Sequence, residues 1–338
     1  MTGPEHGGRL NAAARQWDIA VSRWLDLSTG INPIGWPMPE IPARIWQRLP
    51  EDDDGLDEVI RHWAGATATA ACVPVAGSQA AIRTLPFLRP PCRVGIPEPG
   101  YREHGHWWAL AGHEVVPLPL DLAAGPVSWP EQLDVLVWIH PNNPTGLTLA
   151  PDTLRAWHRR LAAHGGWLVL DEAFADAEAQ ISLAADTGAE RPGLVVLRSL
   201  GKFFGLAGLR AGAVLTDPLI GASLQAALGP WAMSGPARHG MALALADTEW
   251  QRRAARRLAR DSARLDKLLA RFGLGVSGGT RLFRYVLNPN AAGLADGLAR
   301  QGILVRRFDQ PSALRFGLPG TPEHWRRLEL ALAALESD

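Results

Sequence analysis

The sequence predicts an α/β protein built on a mainly parallel β-sheet. Three short and nearly all-apolar segments, at residues 135–140, 167–171 and 194–198, lie in the middle of the chain. Such segments are typical of strands covered on both faces. Amphipathic helical patterns alternate with them, as expected when crossover helices join parallel strands. The 338 residues exceed one ordinary core, so we expect two domains or one large one.

The predicted elements follow in chain order. Residues 1–45 are rich in Gly, Pro and Trp and predict an extended arm. After the first strand, a helix is expected to begin at Pro151, a residue that suits the first helical position. Its predicted inner face and its end are marked by Leu154, Trp157, His158 and Leu161, and then by Gly165 or Gly166.

The C-terminal part of the chain predicts a different arrangement of helices and strands. We expect a long helix near Thr248–Arg271, some short strands, and a last helix opened by Thr321-Pro322-Glu323. The resulting domain prediction is an arm at 1–45 that joins a smaller domain, a large domain at 46–225, and a smaller α+β domain at 226–338.

Composition excludes several classes of protein. Lys plus Arg and Asp plus Glu both number 34, so the chain lacks the basic excess typical of nucleic-acid binding. We found no apolar run of the roughly 18 residues that span a bilayer. The first residues, Met1–His6, do not resemble a leader peptide. Two cysteines without a Cys-x-x-Cys spacing predict neither a disulfide framework nor a cysteine zinc site. We therefore expect a cytoplasmic protein without membrane or nucleic-acid partners.

Polar residues follow each of the three predicted strands. They are Asn142-Asn143, Asp171-Glu172 and the segment 199–202. In an open α/β sheet the ligand crevice lies beyond the carboxyl ends of the strands. The three ends therefore indicate one pocket.

Lys202 is the most informative residue of this pocket. Taken alone, a lysine between a strand and a glycine-rich turn is usually a surface lysine. A nucleotide P-loop is excluded, because Phe203 replaces the required Ser or Thr and residue 196 is Val.

The residues that accompany Lys202 predict pyridoxal phosphate (PLP). This cofactor needs an amine that forms an imine, a carboxylate that keeps the pyridine nitrogen protonated, and a phosphate cradle. Asp171 ends a buried strand, where a carboxylate is costly unless it pairs with a cation such as a pyridinium. Asn143 can hydrogen-bond the ring oxygen, although Asn-Pro-Thr-Gly taken alone is more typical of a plain turn. Tyr101 is a stacking candidate for the ring, with a core position as its alternative.

A phosphate cradle can be assembled from three parts of the chain. Gly77, Ser78 and Gln79 precede a helical pattern, and a helix N-terminus offers free N–H groups to an anion. Ser199 and Arg210 are candidates to complete the cradle.

Three motifs together resemble a known family. They are Asn-Pro-Thr-Gly at 143–146, Asp-Glu-Ala-Phe at 171–174, and Ser-Leu-Gly-Lys at 199–202 with Arg210 eight residues later. From about residue 26 to 320 the chain resembles fold-type I PLP-dependent transferases of the aspartate aminotransferase superfamily, in the histidinol-phosphate aminotransferase branch. Segments 25–33 and 49–56 resemble the threonine-phosphate decarboxylases of cobalamin biosynthesis within that branch.

This resemblance implies a role for each candidate residue. It implies Lys202 as the imine-forming lysine, Asp171 at the ring nitrogen and Asn143 at the ring oxygen. Lys202, Asp171 and Tyr101 are thus the predicted catalytic residues. The resemblance further implies cofactor-phosphate contacts from Ser78, Gln79, Ser199 and Arg210, and substrate contacts from Asn32, Asn143 and Arg315.

The implied activity is the PLP-dependent decarboxylation of L-threonine O-3-phosphate to (R)-1-amino-2-propanol O-2-phosphate, in a homodimer. The product would supply the linker of the cobalamin nucleotide loop. Whichever substrate bond stands perpendicular to the cofactor ring is the one that breaks, so carboxylate orientation decides between decarboxylation and transamination. Four candidates for the substrate phosphate stay unranked: Arg281, Arg306, Arg307 and His6.

Departures from the branch leave two rivals open. Phe174 stands where aminotransferases of this branch usually have Tyr, Gly201 replaces a hydroxyl residue, and the usual Tyr is missing near Leu49. These changes weaken the case for a standard histidinol-phosphate aminotransferase, which remains the nearer rival. A catalytically silent PLP-fold sensor or scaffold is the other, and intact Lys202 and Asp171 argue against it.

Two weaker patterns are expected to be structural. His104, His106 and His113 fit no common zinc spacing, so we predict packing or surface roles and no metal. The arginines of the 252–260 segment form a helical stripe that is typical of a solvated face or an interface.

Overall fold

A computed structural model describes residues 6–120 and 132–336; the first five residues, part of the leader-peptide prediction, lie outside them. The α-helices are α1 (Leu10–Trp17), α2 (Ala43–Gln47), α3 (Leu56–Ala64), α4 (Ser78–Thr84), α5 (Arg102–Leu110), α6 (Pro151–Ala162), α7 (Pro218–Leu228), α8 (Gly235–Ala246), α9 (Thr248–Arg271), α10 (Ala291–Arg300) and α11 (Pro322–Glu336). The strands are β1 (Leu25–Asp26), β2 (Ala71–Val75), β3 (Arg93–Glu98), β4 (Glu114–Pro119), β5 (Val135–Ile139), β6 (Trp167–Asp171), β7 (Leu194–Ser199), β8 (Gly212–Thr216), β9 (Gly278–Thr280), β10 (Phe283–Leu287), β11 (Ile303–Leu304), β12 (Arg306–Asp309) and β13 (Ser312–Gly317).

The chain divides into two compact units. The larger unit comprises Gly35–Asn143 and Leu147–Arg252, and the smaller comprises Met1–Ile34, Pro144–Gly146 and Arg253–Asp338. The predicted domain limits at residues 45 and 225 do not coincide with these bounds, because α8 and the segment 35–45 belong to the larger unit. The limits of independently folding domains stay a prediction, since compactness alone does not define them.

The larger unit contains a seven-stranded sheet in the order β2-β8-β7-β6-β5-β3-β4. The strands β7, β6, β5, β3 and β4 are parallel, whereas β8 is antiparallel to both of its neighbours, β2 and β7. This mainly parallel sheet confirms the predicted α/β class. The three strands predicted from apolar runs are its central strands β5, β6 and β7.

The two faces of this sheet follow from the alternation of side chains along each strand. Val169 and Val195 point to the face covered by α4, α5 and α7, where they join a core that includes Ile82, Trp108 and Leu224. The opposite face meets α6, since the rings of Trp138 and Trp157 lie 5.0 Å apart, edge to face. Both faces are therefore buried, which explains the near-continuous apolar runs.

The smaller unit combines a four-stranded antiparallel sheet, in the order β12-β13-β10-β9, with helices and the parallel pair β1-β11. The arm prediction was wrong for part of residues 1–45. Leu10–Trp17 forms α1, because Ala13 packs into a small core with Trp24 and Ala299. Residues 10–17 contain neither Gly nor Pro, so the composition of residues 1–45 as a whole does not describe this segment.

The predicted helices are confirmed in the structure. Helix α6 begins with Pro151 at its first turn and buries Leu154, His158 and Leu161. Helices α9 and α11 occupy the predicted C-terminal positions. None of the helices within the described ranges is long and apolar enough to cross a membrane.

Candidate active site

Lys202 lies three residues beyond the end of β7, at the predicted tip of the sheet. Its side chain is partly buried, and its Nζ atom lies 5.4 Å from the centroid of the Phe174 ring. Phe174 is itself buried, two residues after the Asp171-Glu172 pair. The apolar ring of Phe174 thus lies beside the amine of Lys202, the group that the sequence predicts to bind the cofactor.

Asp171 ends β6 with only 4% of its surface exposed. Its Oδ1 accepts a hydrogen bond from the backbone N–H of Ala173 at 3.1 Å. Its Oδ2 lies 2.9 Å from Nε2 of His104, a buried residue of α5. Since an ionised carboxylate can only accept, Nε2 of His104 is the donor. A buried carboxylate held on both oxygens is a fixed acceptor for a further cationic N–H group.

The residues predicted to form the phosphate cradle lie where β2, β8 and β7 run side by side. Val75, Gly212 and Ser199 are cross-strand partners, so the end of β2, the start of β8 and the end of β7 meet. Helix α4 begins at Ser78, three residues after the end of β2, and Arg210 lies two residues before the start of β8. The antiparallel strand β8 is therefore the reason why these distant segments come together.

Gly77 shows how closely the cradle is packed. Its φ of 72° and ψ of 157° lie in a region that is essentially restricted to glycine. A Cβ atom on Gly77 would lie 2.9 Å from Nη2 of Arg210, so the guanidinium occupies the space of the missing side chain. A Cβ atom on Gly212 would lie 2.9 Å from the backbone N of Ser78. An arginine and the first N–H groups of a helix thus adjoin one small region.

Gln79 was predicted at the phosphate, and its side chain has other partners. Its Nε2 donates to Oε2 of Glu103 at 2.6 Å, and its Oε1 accepts from the Tyr101 hydroxyl at 3.2 Å. The contribution of Gln79 to the cradle is therefore expected from its backbone N–H rather than from its amide. The role of Gln79 at the phosphate stays a prediction.

Tyr101 lies at the N-cap of α5, next to the Asp171–His104 pair. Its ring meets that of His104 edge to face, with centroids 6.1 Å apart. Burial, followed by the negative charges of Asp171 and Glu103, raises the pKa of Tyr101, while Arg210 opposes this effect. The hydroxyl is therefore protonated at neutral pH. It lies close enough to Asp171 and to Arg210, at the two ends of the predicted cofactor site, for both charges to affect its pKa.

Asn143 and Ser199 complete the predicted set within the larger unit. Asn143 is partly buried in the turn that follows β5, beside the fully buried Asn142, whose amide donates to the carbonyl of Pro99 at 3.0 Å. Ser199 is buried, and its Oγ accepts from the backbone N–H of Gly201 at 3.3 Å. Both lie at strand ends, as predicted, and their contacts with a cofactor stay predictions.

Arg315, the predicted carboxylate ligand, lies on β13 in the smaller unit. It is 5% exposed and donates through Nη2 to the carbonyl of Ser28 at 2.6 Å. In the antiparallel register it stands directly opposite Arg306 of β12 and Tyr285 of β10. Burial, and then the charge of Arg306, lowers the pKa of Arg315 to about 10. The negative charge of Asp26 acts in the opposite direction on this pKa. Two like charges in direct register are unfavourable unless an anion compensates them.

Asn32, the other predicted substrate residue of the smaller unit, is 3% exposed. Its Oδ1 accepts hydrogen bonds from the Ile34 backbone N–H at 3.1 Å and from Nη2 of Arg257 at 2.9 Å. Arg257 was expected on a solvated or interface stripe of α9. Instead it is partly buried and also binds the carbonyl of Ile34 at 3.0 Å, so this arginine fixes the Asn32 segment.

The three neighbouring histidines divide between two roles. His104 is buried, in line with the predicted packing role, and it also binds the Asp171 carboxylate. His113 instead bonds to the carbonyl of Pro86 at 2.7 Å, and His106 lies edge to face with Trp107. Among the described residues there is no group of three or more His, Cys, Asp or Glu side chains that could hold a metal ion.

Sequence reasoning missed His104 and Glu103 as site residues. A signal was present: residues 101 and 104 lie on one helix face when α5 begins after Tyr101. Arg257 offered no comparable signal, because its partner Asn32 is distant in the sequence.

PLP fits the residues of the larger unit. A cradle shaped by a glycine-only backbone and an arginine suits a phosphate dianion. The buried Asp171 carboxylate suits a pyridinium nitrogen, and Lys202 supplies an amine at the adjacent strand tip.

The chain is similar to known proteins in both sequence and fold. The family model described as aminotransferase class I and II matches residues 52–332. The threonine-phosphate decarboxylase of Pseudomonas aeruginosa is 49% identical over 329 residues, covering 97% of each chain. That of a Sinorhizobium species is 41% identical over 337 residues, covering 98% of each chain.

Solved structures resemble the fold at lower identity. The L-threonine-O-3-phosphate decarboxylase of Porphyromonas gingivalis has a TM-score of 0.76 at 20% identity, with 92% of this chain and 99% of that chain covered. The histidinol-phosphate aminotransferase of Sinorhizobium meliloti, in complex with pyridoxal-5'-phosphate, has a TM-score of 0.82 at 19% identity, with 99% and 96% covered.

Proposed function

The chain belongs to the aminotransferase class I and II family, and on that premise we propose that it is a PLP-dependent threonine-phosphate decarboxylase. Its substrate is L-threonine O-3-phosphate, and its products are (R)-1-amino-2-propanol O-2-phosphate and CO2. The observation that supports this choice most directly is the 49% identity to a decarboxylase of that name over 97% of both chains. The product has the chemistry of the linker in the cobalamin nucleotide loop.

The larger unit holds the cofactor in this proposal. Lys202 would bind it covalently through Nζ, and Asp171 would accept a hydrogen bond from the protonated ring nitrogen. The cofactor phosphate would be held by Arg210, Ser199 and the first N–H groups of α4. Asn143 would contact the ring oxygen, and the ring of Tyr101 would stack on the cofactor. When bound, PLP supplies an electron sink for the pair left on the substrate α-carbon.

The protein's own groups manage charge and protons. Asp171 would keep a positive charge at the ring nitrogen because its carboxylate is buried and fixed by His104. Cleavage of the bond between the α-carbon and the carboxylate would release CO2 and leave an electron pair on the α-carbon. Lys202 would supply the proton to that carbon from Nζ as an ammonium group, and solvent would replace this proton. Phe174 lines the amine with an apolar surface that limits access of water.

The smaller unit binds the anionic groups of the substrate. Arg315 would bind the carboxylate, and Asn32 is the second residue expected to contact the substrate. Arg306 is the second cation of this surface, and its position directly opposite Arg315 supports a role in binding an anion. An anion placed near both guanidiniums removes the repulsion between them.

The activity is tested by measuring CO2 release from L-threonine O-3-phosphate with no keto acid present. We expect stoichiometric CO2 and aminopropanol phosphate. Histidinol phosphate with 2-oxoglutarate is the matched alternative, and glutamate formation from that pair without CO2 release would identify an aminotransferase. Absence of turnover with either substrate, despite bound cofactor, would identify a silent module.

Homodimer formation is part of the proposal, supported by an apolar surface on the larger unit. Trp46, Leu49, Trp231 and Leu243 are exposed by 65%, 64%, 56% and 38%. Helix α8 packs directly on α2, since a Cβ atom on Gly235 would lie 2.7 Å from the carbonyl of Ile45. Exposed large apolar side chains on packed helices are one mark of an interface. Sedimentation of wild type and L243E tests this: a monomeric wild type contradicts it.

A cytoplasmic location belongs to the same proposal. It is supported by the two cysteines, Cys72 and Cys92, which are both free. Unpaired cysteines are typical of reducing compartments.

A further inference from the structure

We propose that Glu103 is a positioning residue for Tyr101. Its buried carboxylate orients the side-chain amide of Gln79, and that amide holds the Tyr101 hydroxyl. The inference rests on the proposed cofactor site, in which Tyr101 stacks on the ring.

Glu103 is unusual for a glutamate in the first turn of a helix, because only 8% of its surface is exposed. A buried carboxylate is costly unless hydrogen bonds compensate the loss of water. Oε2 of Glu103 accepts from Nε2 of Gln79 at 2.6 Å and from Nε1 of Trp107 at 2.9 Å. The two donors come from different helices, α4 and α5. The carboxylate therefore connects the helix of the phosphate cradle with the helix that begins after Tyr101.

The carboxylate decides which way the amide of Gln79 points. An ionised carboxylate accepts hydrogen bonds only, so Gln79 must turn its NH2 group toward Glu103. Its oxygen, Oε1, then faces the Tyr101 hydroxyl at 3.2 Å. The hydroxyl must donate this bond, which agrees with the raised pKa that keeps Tyr101 protonated. Without Glu103 the amide of Gln79 is free to turn over. Its NH2 group would then face the Tyr101 hydroxyl, and both groups would be donors.

Tyr101 is consequently fixed at both ends. Its hydroxyl is held by Gln79, which is itself held by Glu103. Its ring lies edge to face against that of His104, with the ring centroids 6.1 Å apart. His104 binds Asp171 in turn. A single turn of α5 thus sets the ring of Tyr101 and the carboxylate of Asp171 relative to each other. Such prior fixing of side chains reduces the entropy lost when a ligand binds.

The chain contains two tyrosines, which makes a direct test possible. Protein with 13C at Cζ of tyrosine gives one resonance for Tyr101 and one for Tyr285, a fully buried residue of β10 that serves as internal reference. The variants are E103A, which removes the acceptor, and E103Q, whose amide oxygen can still accept both bonds. The control is R102A, at the exposed neighbouring position of α5.

We expect E103A to shift or broaden the Tyr101 resonance and to leave that of Tyr285 unchanged. Its dissociation constant for PLP should rise about tenfold, the size of one lost hydrogen bond. The visible circular dichroism of the bound cofactor should change as well. E103Q should stay within about threefold of wild type, as its acceptor is retained. R102A should match wild type.

The proposal is overturned if E103A leaves the Tyr101 resonance in place, if both tyrosine resonances move alike, or if E103Q is as impaired as E103A. Failure of the proposed function is a separate result. If wild-type protein binds no PLP, the cofactor site is wrong, while the tyrosine resonances still decide whether Glu103 positions Tyr101.

Discussion

Replacing Gly77 with alanine perturbs the phosphate cradle at one defined point. The new Cβ atom would lie 2.9 Å from Nη2 of Arg210, closer than carbon and nitrogen atoms approach without displacement. The arginine is exposed and its end is flexible, so we expect the guanidinium to move rather than the backbone. The variant therefore displaces the charged group proposed to bind the cofactor phosphate.

Two separate magnitudes follow from this geometry. The backbone at φ 72° and ψ 157° is strained for alanine, which should lower the free energy of unfolding by about 1–3 kcal/mol. Loss of one charge-assisted hydrogen bond to the phosphate is worth about 1.5–3 kcal/mol. The dissociation constant for PLP should therefore rise roughly 10- to 150-fold.

The assay is a titration of cofactor-free protein with PLP and with pyridoxal, which lacks the phosphate, followed by absorbance. The matched control is G208A, because a Cβ atom on Gly208 meets no atom within 4 Å. We expect G77A to weaken PLP binding far more than pyridoxal binding, and G208A to leave both unchanged. An equal loss for both ligands, or no loss for PLP, would refute the role given to Arg210.

Three other predictions concern buried charges. H104F removes the hydrogen-bond donor to Asp171. In steady-state kinetics this variant should lower the decarboxylation rate constant about 10- to 100-fold with little change in the Michaelis constant. A rate constant equal to that of wild type would contradict the role of this pairing. R315A should raise the Michaelis constant at least tenfold through loss of a charge-assisted contact, and a change in the rate constant alone would speak against carboxylate binding. Burial raises the pKa of Glu172 from its usual 4.5 to about 7 in the folded state, despite the nearby Arg198 guanidinium, so the folded protein binds the extra proton. The free energy of unfolding should thus decrease as the pH rises from about 4.5 through 7, by at most about 1.4 kcal/mol per pH unit; urea unfolding of E172Q should lack this component, and an identical pH slope in both proteins would exclude it.

The local pattern of the sequence determined the central strands and the residues at their ends. The strands β5, β6 and β7 are easily recognised in the sequence, because both faces of the sheet are buried and nearly every residue in them is apolar. Asp171 could be selected because it ends such a run, and Lys202 because it follows another by three residues, where a ligand crevice is expected. The family resemblance added the roles of Arg315 and Asn32, which no local pattern indicates.

Tertiary structure alone decided which of these residues meet. The antiparallel strand β8 lies between β2 and β7 and brings Arg210 to Gly77; strand order depends on hydrogen bonds between distant segments, which no local window contains. The same holds for His104 at Asp171, where a helix packs its first turn against a strand end. Periodicity identifies the buried face of each element, but the identity of the atom facing it is set by long-range packing.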